Sequence, residues 1–167
     1  ILDRARIRFA LCDARFLADL ETANAQSHML ERVLAINTDG DAGSLEALMQ
    51  ATSAGFKARD TASDDVALIA FTSGTTGKPK GTMHFHRDVI AMCDAFPRSC
   101  VGAAKDDVFC GTPPLAFTFG LGGMLAFPMR VGASTVLVEK LAPETLLETI
   151  QRYKATVCFT APTMYRA

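Results

Sequence analysis

Ten consecutive residues, Thr72-Ser73-Gly74-Thr75-Thr76-Gly77-Lys78-Pro79-Lys80-Gly81, hold four hydroxyls, three glycines and two lysines. Glycines let a backbone approach an anion closely and turn its N–H groups inward. Hydroxyls donate further hydrogen bonds, and lysines neutralise charge. This mixture at this density suits a cradle for polyphosphate. A Walker loop has four residues between its glycines, followed by Lys and then Ser or Thr. Here only two residues separate Gly74 from Gly77, and Lys78 is followed by Pro79. Pro79 also disfavours a helix beginning directly before it. An ordinary polar turn would not need so many hydroxyls beside glycines and lysines.

Other chemistry-bearing residues carry less. Cys12, Cys93, Cys100, Cys110 and Cys158 are odd in number, widely spaced and without a CxxC pair. Each lies among apolar neighbours, which predicts core packing as free thiols in a reducing, cytoplasmic compartment. His84-Phe85-His86 places two imidazoles two residues apart, with no carboxylate or thiol partner, a weak pattern for a metal site. His28 reads as surface.

The elements around the loop alternate between strand and helix. Strands are predicted at Arg6–Cys12, Arg32–Ile36, Asp107–Cys110, Ser134–Glu139 and Ala155–Thr160. Val66–Phe71 is a continuous apolar run, the pattern of a strand buried on both faces. Helices are predicted over Ala14–Ala23, over Leu45–Ala51 with Ser44 as its N-cap, and over Arg87–Phe96, stopped by Pro97. A Gly-rich apolar helix follows over Gly120–Phe127, and another starts at Pro143 with Leu146, Leu147 and Ile150 as its buried stripe. Residues 52–65 read as a surface loop. This alternation defines an α/β fold, a mostly parallel sheet with helices on both faces. In such folds ligands sit where strands exit at the carboxyl edge, and the loop follows a strand.

Composition narrows the classes further. The chain has 167 residues, 49% hydrophobic and 21% charged, with 17 Lys+Arg against 18 Asp+Glu for a net charge of −1. Nothing here gives the basic face that nucleic acid or an anionic membrane would need. No apolar run approaches the ~20 residues that span a bilayer, and Arg4, Arg6 and Arg8 interrupt any secretory leader. Association into oligomers stays open.

The ten-residue string, with Phe71 before it and Thr82-Met83-His84-Phe85-His86-Arg87 after it, resembles the signature of the adenylate-forming superfamily. That superfamily comprises acyl-CoA synthetases, peptide-synthetase adenylation domains and luciferases. Pro113-Pro114-Leu115-Ala116-Phe117-Thr118-Phe119-Gly120 is similar to its second motif, and Thr160-Ala161-Pro162-Thr163 to its pocket-edge strand and turn. A weaker likeness runs through Ala10-Leu11-Cys12-Asp13 and Asp64-Asp65-Val66-Ala67.

The resemblance implies a two-step ligase using ATP, Mg²⁺ and coenzyme A. A carboxylate oxygen attacks the α-phosphate and expels pyrophosphate, and a thiol then takes the acyl group from the adenylate. Thr72, Ser73, Gly74, Thr75, Thr76, Gly77 and Lys80 would bind the phosphates. Lys80 and Thr76 would be the catalytic members, and Thr76 the magnesium neighbour. Lys78 reads as solvated surface, and His86-Arg87 as the start of a helix. Phe117, Phe119, Gly120 and Ala161 would line the acyl pocket, and an aromatic residue at 117 resembles aryl-acid ligases such as those for benzoate or 2-aminobenzoate. Core packing is the alternative for Phe117 and Phe119.

The resemblance also leaves parts unaccounted for. The acidic magnesium residue, the ribose-gripping aspartate and the mobile C-terminal domain have no counterpart. Residues 1–167 are therefore expected to be a fragment of an AMP-binding N-terminal domain (phosphate loop 72–81, acyl-pocket segment 113–123), inactive alone and with exposed apolar surface. A non-catalytic nucleotide-binding module, or an adenylation domain loading a carrier protein, are the other readings.

Overall fold

A computed structural model describes residues 1–38, 40–72, 77–139 and 142–166. The chain forms two compact units, Ile1–Thr61 with Phe71–Thr82, and Ala62–Ala70 with Met83–Ala167. The class is α/β, and among the described residues the strands are distributed over three small sheets rather than one.

In the first unit, α1 (Leu2–Ala5) ends at Arg6, which takes a left-handed φ of 49°. This turn delays the first strand, so β1 runs Phe9–Asp13 and not from Arg6. It pairs in parallel with β2 (Arg32–Ile36), from Phe9↔Arg32 to Asp13↔Ile36. A 3₁₀ turn and α2 (Leu17–Ser27) connect them. At the strand end, Arg15 and Asn37 donate to the Asp13 carboxylate and hold its pKa well below the usual carboxylate range. α3 (Leu45–Ala51) starts at Ser44, whose Oγ accepts from the Ala47 N–H at 3.2 Å, the N-cap the sequence predicts.

β3 (Val66–Thr72) and β4 (Lys80–Phe85) make a two-stranded sheet. β3 is not buried on both faces. Val66 is exposed and the strand centre only half-buried. Two strands alone cannot enclose a face, and β4 is the partner of β3 in this sheet.

The second unit is built on β5 (Val108–Gly111), flanked in parallel by β6 (Ser134–Val136) and β7 (Val157–Phe159) in the order β6–β5–β7. α4 (His86–Phe96) starts with the Asp88 carboxylate accepting from the Phe85 N–H at 2.9 Å. Pro97 does not stop the helical path. Lacking an N–H, it shifts the ladder into a wider π turn over Pro97–Val101, closed by Gly102 at φ 68°. The predicted Gly-rich helix is α5 (Thr118–Leu121), a π turn over Gly122–Ala126 and α6 (Phe127–Val131). Cys93, Phe109 and Phe127 form the core. Phe159 packs on this core, with ring centroids 6.1 Å from Phe109 and 5.9 Å from Phe127.

α7 (Pro143–Tyr153) corrects one stripe residue: Leu146 is buried, but Leu147 is exposed and Thr149 is buried instead. The Thr149 hydroxyl donates to the Thr145 carbonyl at 2.7 Å, so its polar atom is satisfied inside. The cysteines divide too. Cys93 and Cys110 are buried and Cys12 half-buried, whereas Cys100 and Cys158 are exposed, against the expectation that all five are core.

Asp107 joins the starts of β5 and β7. Its carboxylate accepts from the Ala104 N–H at 2.8 Å and the Thr156 hydroxyl at 2.7 Å, and Thr156 Oγ1 accepts from the Val108 N–H at 2.9 Å. These donors hold the Asp107 pKa below its ordinary value. Its contribution is thus present above the unfolded carboxylate pKa of ~3.9 and is lost as pH falls through the lower folded value. The urea midpoint of Asp107→Ala is expected to lie below wild type at neutral pH and to converge with it in acid. A gap independent of pH would overturn this.

Candidate functional site

The phosphate-loop residues are divided by what the structure describes. Ser73, Gly74, Thr75 and Thr76 lie outside the described residues. Thr72 ends β3 with its side chain exposed. Gly77 has φ 74°, and a Cβ there would meet nothing within 4 Å. Backbone conformation alone therefore selects glycine at this turn, since the left-handed region costs other residues roughly 1–2 kcal/mol. Lys80 is the first residue of β4 and is exposed, so its charge stands on a strand. That strand, rather than a helix, follows the loop, consistent with the bar imposed by Pro79.

One contact escapes sequence reasoning: the Arg4 guanidinium donates to the Pro79 carbonyl. It ties α1 to the far arm of the loop within the first unit, across 75 positions with no local pattern to announce it. Exposed hydroxyl, left-handed glycine and exposed lysine suit a polyphosphate. For magnesium the described residues do not suffice: no three or more His, Cys, Asp or Glu among them converge on a metal position. Thr76, the expected neighbour of the ion, is outside them.

The candidate acyl segment lies in the second unit. Phe117 is exposed, just before α5, and Phe119 is half-exposed with its ring edge-on to Phe159 at 6.0 Å. Ala161 follows β7 and is exposed. The structure brings 112–120 beside the β7 exit: the Thr112 N–H donates to the Phe159 carbonyl at 3.0 Å, and the Thr112 and Thr160 hydroxyls are 2.7 Å apart. Thr160 opens the pocket-edge string read in the sequence, but nothing local marks Thr112, 48 positions away, as its partner.

Gly120 is buried, and a Cβ there would lie 2.0 Å from the Pro114 carbonyl oxygen. Its smallness serves that backbone contact. A cavity of about 280 Å³ opens beside this segment, lined by Pro113, Pro114, Leu115 and Met124. A larger apolar one of about 520 Å³ is lined by Leu68, Ile90, Leu121 and Met129, with Arg130. Phe117, Phe119, Gly120 and Ala161 line neither of them. His84 and His86 are half-buried, and His86 is the first residue of α4, as the sequence predicts.

The sequence matches the AMP-binding enzyme family over residues 1–167, and the chain belongs to that family. It is similar to the benzoate–CoA ligase of Thauera aromatica, 38% identical over 75% of this chain and 24% of the ligase. It is also similar to the 4-hydroxybenzoate–CoA/benzoate–CoA ligase of Rhodopseudomonas palustris, 32% identical over 100% of this chain and 31% of the ligase. An anthranilate CoA ligase crystallised with anthranoyl-AMP superposes with a TM-score of 0.89 at 32% identity, covering 98% of this chain and 32% of that one. The chain spans roughly a quarter to a third of these relatives' own length. Among the described residues no helix is long and apolar enough to cross a membrane.

Proposed function

We propose that residues 1–167 form part of the AMP-binding N-terminal domain of a cytoplasmic carboxylate–CoA ligase that acts on an aromatic acid. The observation that carries this reading is the match of the whole chain to a ligase named for both 4-hydroxybenzoate and benzoate, joined by the likeness to an anthranilate ligase holding an acyl-adenylate. The phosphate loop is 72–81, with Thr72, Ser73, Gly74, Thr75, Thr76, Gly77 and Lys80 around the β- and γ-phosphates of ATP. The acyl-pocket segment is 113–123, in which Phe117, Phe119 and Gly120, together with Ala161 after β7, would form the acid's side of the site.

The first step gathers negative charge on the transferring phosphoryl group, so this chain's share of catalysis is positioning and charge stabilisation. Backbone N–H groups and Lys80 hold the phosphates in line, and Phe117 and Phe119 offer ring faces and edges to a flat acid. Coenzyme A takes the acyl group in the second step. The motifs this needs beyond 72–163 belong to the remainder of the full-length ligase, so residues 1–167 alone are expected to turn over poorly.

The test is ATP–pyrophosphate exchange by the full-length ligase with benzoate, 2-aminobenzoate or acetate, followed by acyl transfer to coenzyme A or a carrier protein. Exchange with the aromatic acids and transfer to coenzyme A are expected. Preference for acetate overturns the aromatic assignment, transfer only to a carrier overturns the acceptor, and nucleotide binding without exchange leaves a binding module.

A further inference from the structure

Cys110 and Cys158 are Cα partners on the parallel strands β5 and β7. Neighbouring strands run ~4.8 Å apart, inside the ~4.4–6.8 Å Cα separation that a disulfide spans. Paired residues of a parallel ladder project to the same face, so the two thiols are neighbours there. Both are free, yet their access differs: Cys110 is fully buried and Cys158 is exposed. Burial, and after it the neighbouring Cys158, push the Cys110 thiol up to about 12, so of the two Cys110 is the less ready to meet a reagent first. Only Cys158 is placed to meet a reagent from solvent, with its partner already waiting behind it.

We propose that Cys158 and Cys110 are a peroxide-reactive pair that closes reversibly into a cross-strand disulfide. The Cys158 sulfur attacks one peroxide oxygen, the O–O bond breaks, and the leaving hydroxide takes the Cys158 thiol proton to become water. Cys158 then carries a sulfenic acid. The Cys110 sulfur attacks the Cys158 sulfur, the S–O bond breaks, and the thiol proton leaves with the hydroxide as a second water. The two thiols lose two electrons and the peroxide gains them. A dithiol reductant reverses the bond by exchange. The bridge would fix β7 immediately before Phe159, Thr160 and Ala161.

The test uses the reduced 167-residue chain, treated with one equivalent of hydrogen peroxide and then alkylated in denaturant. Alkylatable thiols are expected to fall from five to three, and tryptic mapping without reductant to join peptide 106–130 to peptide 155–166. Dithiothreitol is expected to restore all five. Cys158→Ser, at an exposed position, is expected to keep its remaining four thiols under the same treatment. Cys110→Ala is expected to let Cys158 advance to the sulfinic acid, and if it does not fold the Cys158→Ser arm decides. A sulfinic Cys158 beside an alkylated Cys110 in the wild-type chain, or a bridge from Cys158 to Cys12, Cys93 or Cys100, would overturn the pairing.

Discussion

Replacing Gly120 with alanine is expected to destabilise the second unit by about 3 kcal/mol, at the upper end of the cost of overpacking a core. Two opposing effects meet at this position. Alanine is the better helix former, worth up to about 1 kcal/mol in α5. Its Cβ, however, would lie 2.0 Å from the Pro114 carbonyl oxygen, 2.5 Å from the Pro114 carbonyl carbon and 2.6 Å from the Pro113 oxygen. All three are backbone atoms, so no rotamer change relieves them. The clash wins, and it consumes a large part of a typical total stability of ~5–15 kcal/mol. The urea midpoint of Gly120→Ala checks this. A wild-type midpoint with weakened acid binding would instead give Gly120 a role toward ligand alone. Gly111 is held in the same way, its Cβ position being 2.1 Å from the Phe159 carbonyl oxygen.

Lys80→Ala in the full-length ligase is expected to lower acid-dependent pyrophosphate exchange by ~10²–10³-fold, the loss that follows removal of one aligned charge-stabilising donor. In the ground state an exposed lysine contributes little, because water screens it. In the transition state the phosphoryl oxygens carry more charge, so the loss is expected in kcat more than in KM. Lys80 starts strand β4, the partner of β3 in a two-stranded sheet, so the backbone that carries the ammonium is part of a strand. Lys80→Arg is expected to recover part of the rate by restoring charge. Lys78→Ala, outside the cradle, is expected to change little. Exchange by Lys80→Ala close to wild type would remove Lys80 from the phosphate cradle.

Local chemistry made much of this fold readable. Arg32–Ile36 and Leu45–Ala51 have the expected bounds because a β-branched run and a Ser N-cap are decided within a few residues. The failures arise where distant partners decide. Apolar continuity at Val66–Phe71 reports strand character but not what covers it. A helical stripe of leucines did not distinguish Leu147 from Thr149, because a threonine that bonds its own helix can be buried without penalty. At Pro97 the missing N–H ends the α-helix at Phe96 as expected, but a wider turn carries the path on to Val101. The candidate phosphate loop was legible because its chemistry is contiguous. The Thr112–Thr160 contact and the pairing of Cys110 with Cys158 were not, since each joins residues 48 positions apart.

The Arg4–Pro79 contact bears on the order in which the first unit assembles. Closing a loop of 75 positions costs about 4 kcal/mol in its length-dependent entropy alone. A hydrogen bond to a charged donor returns roughly 1.5–3 kcal/mol, and less at an exposed site. The contact therefore cannot nucleate folding; it forms only after β1, β2 and their helices have shortened the effective loop. The tether of the far arm of the phosphate loop is therefore expected to form late, after the strands of the first unit have paired.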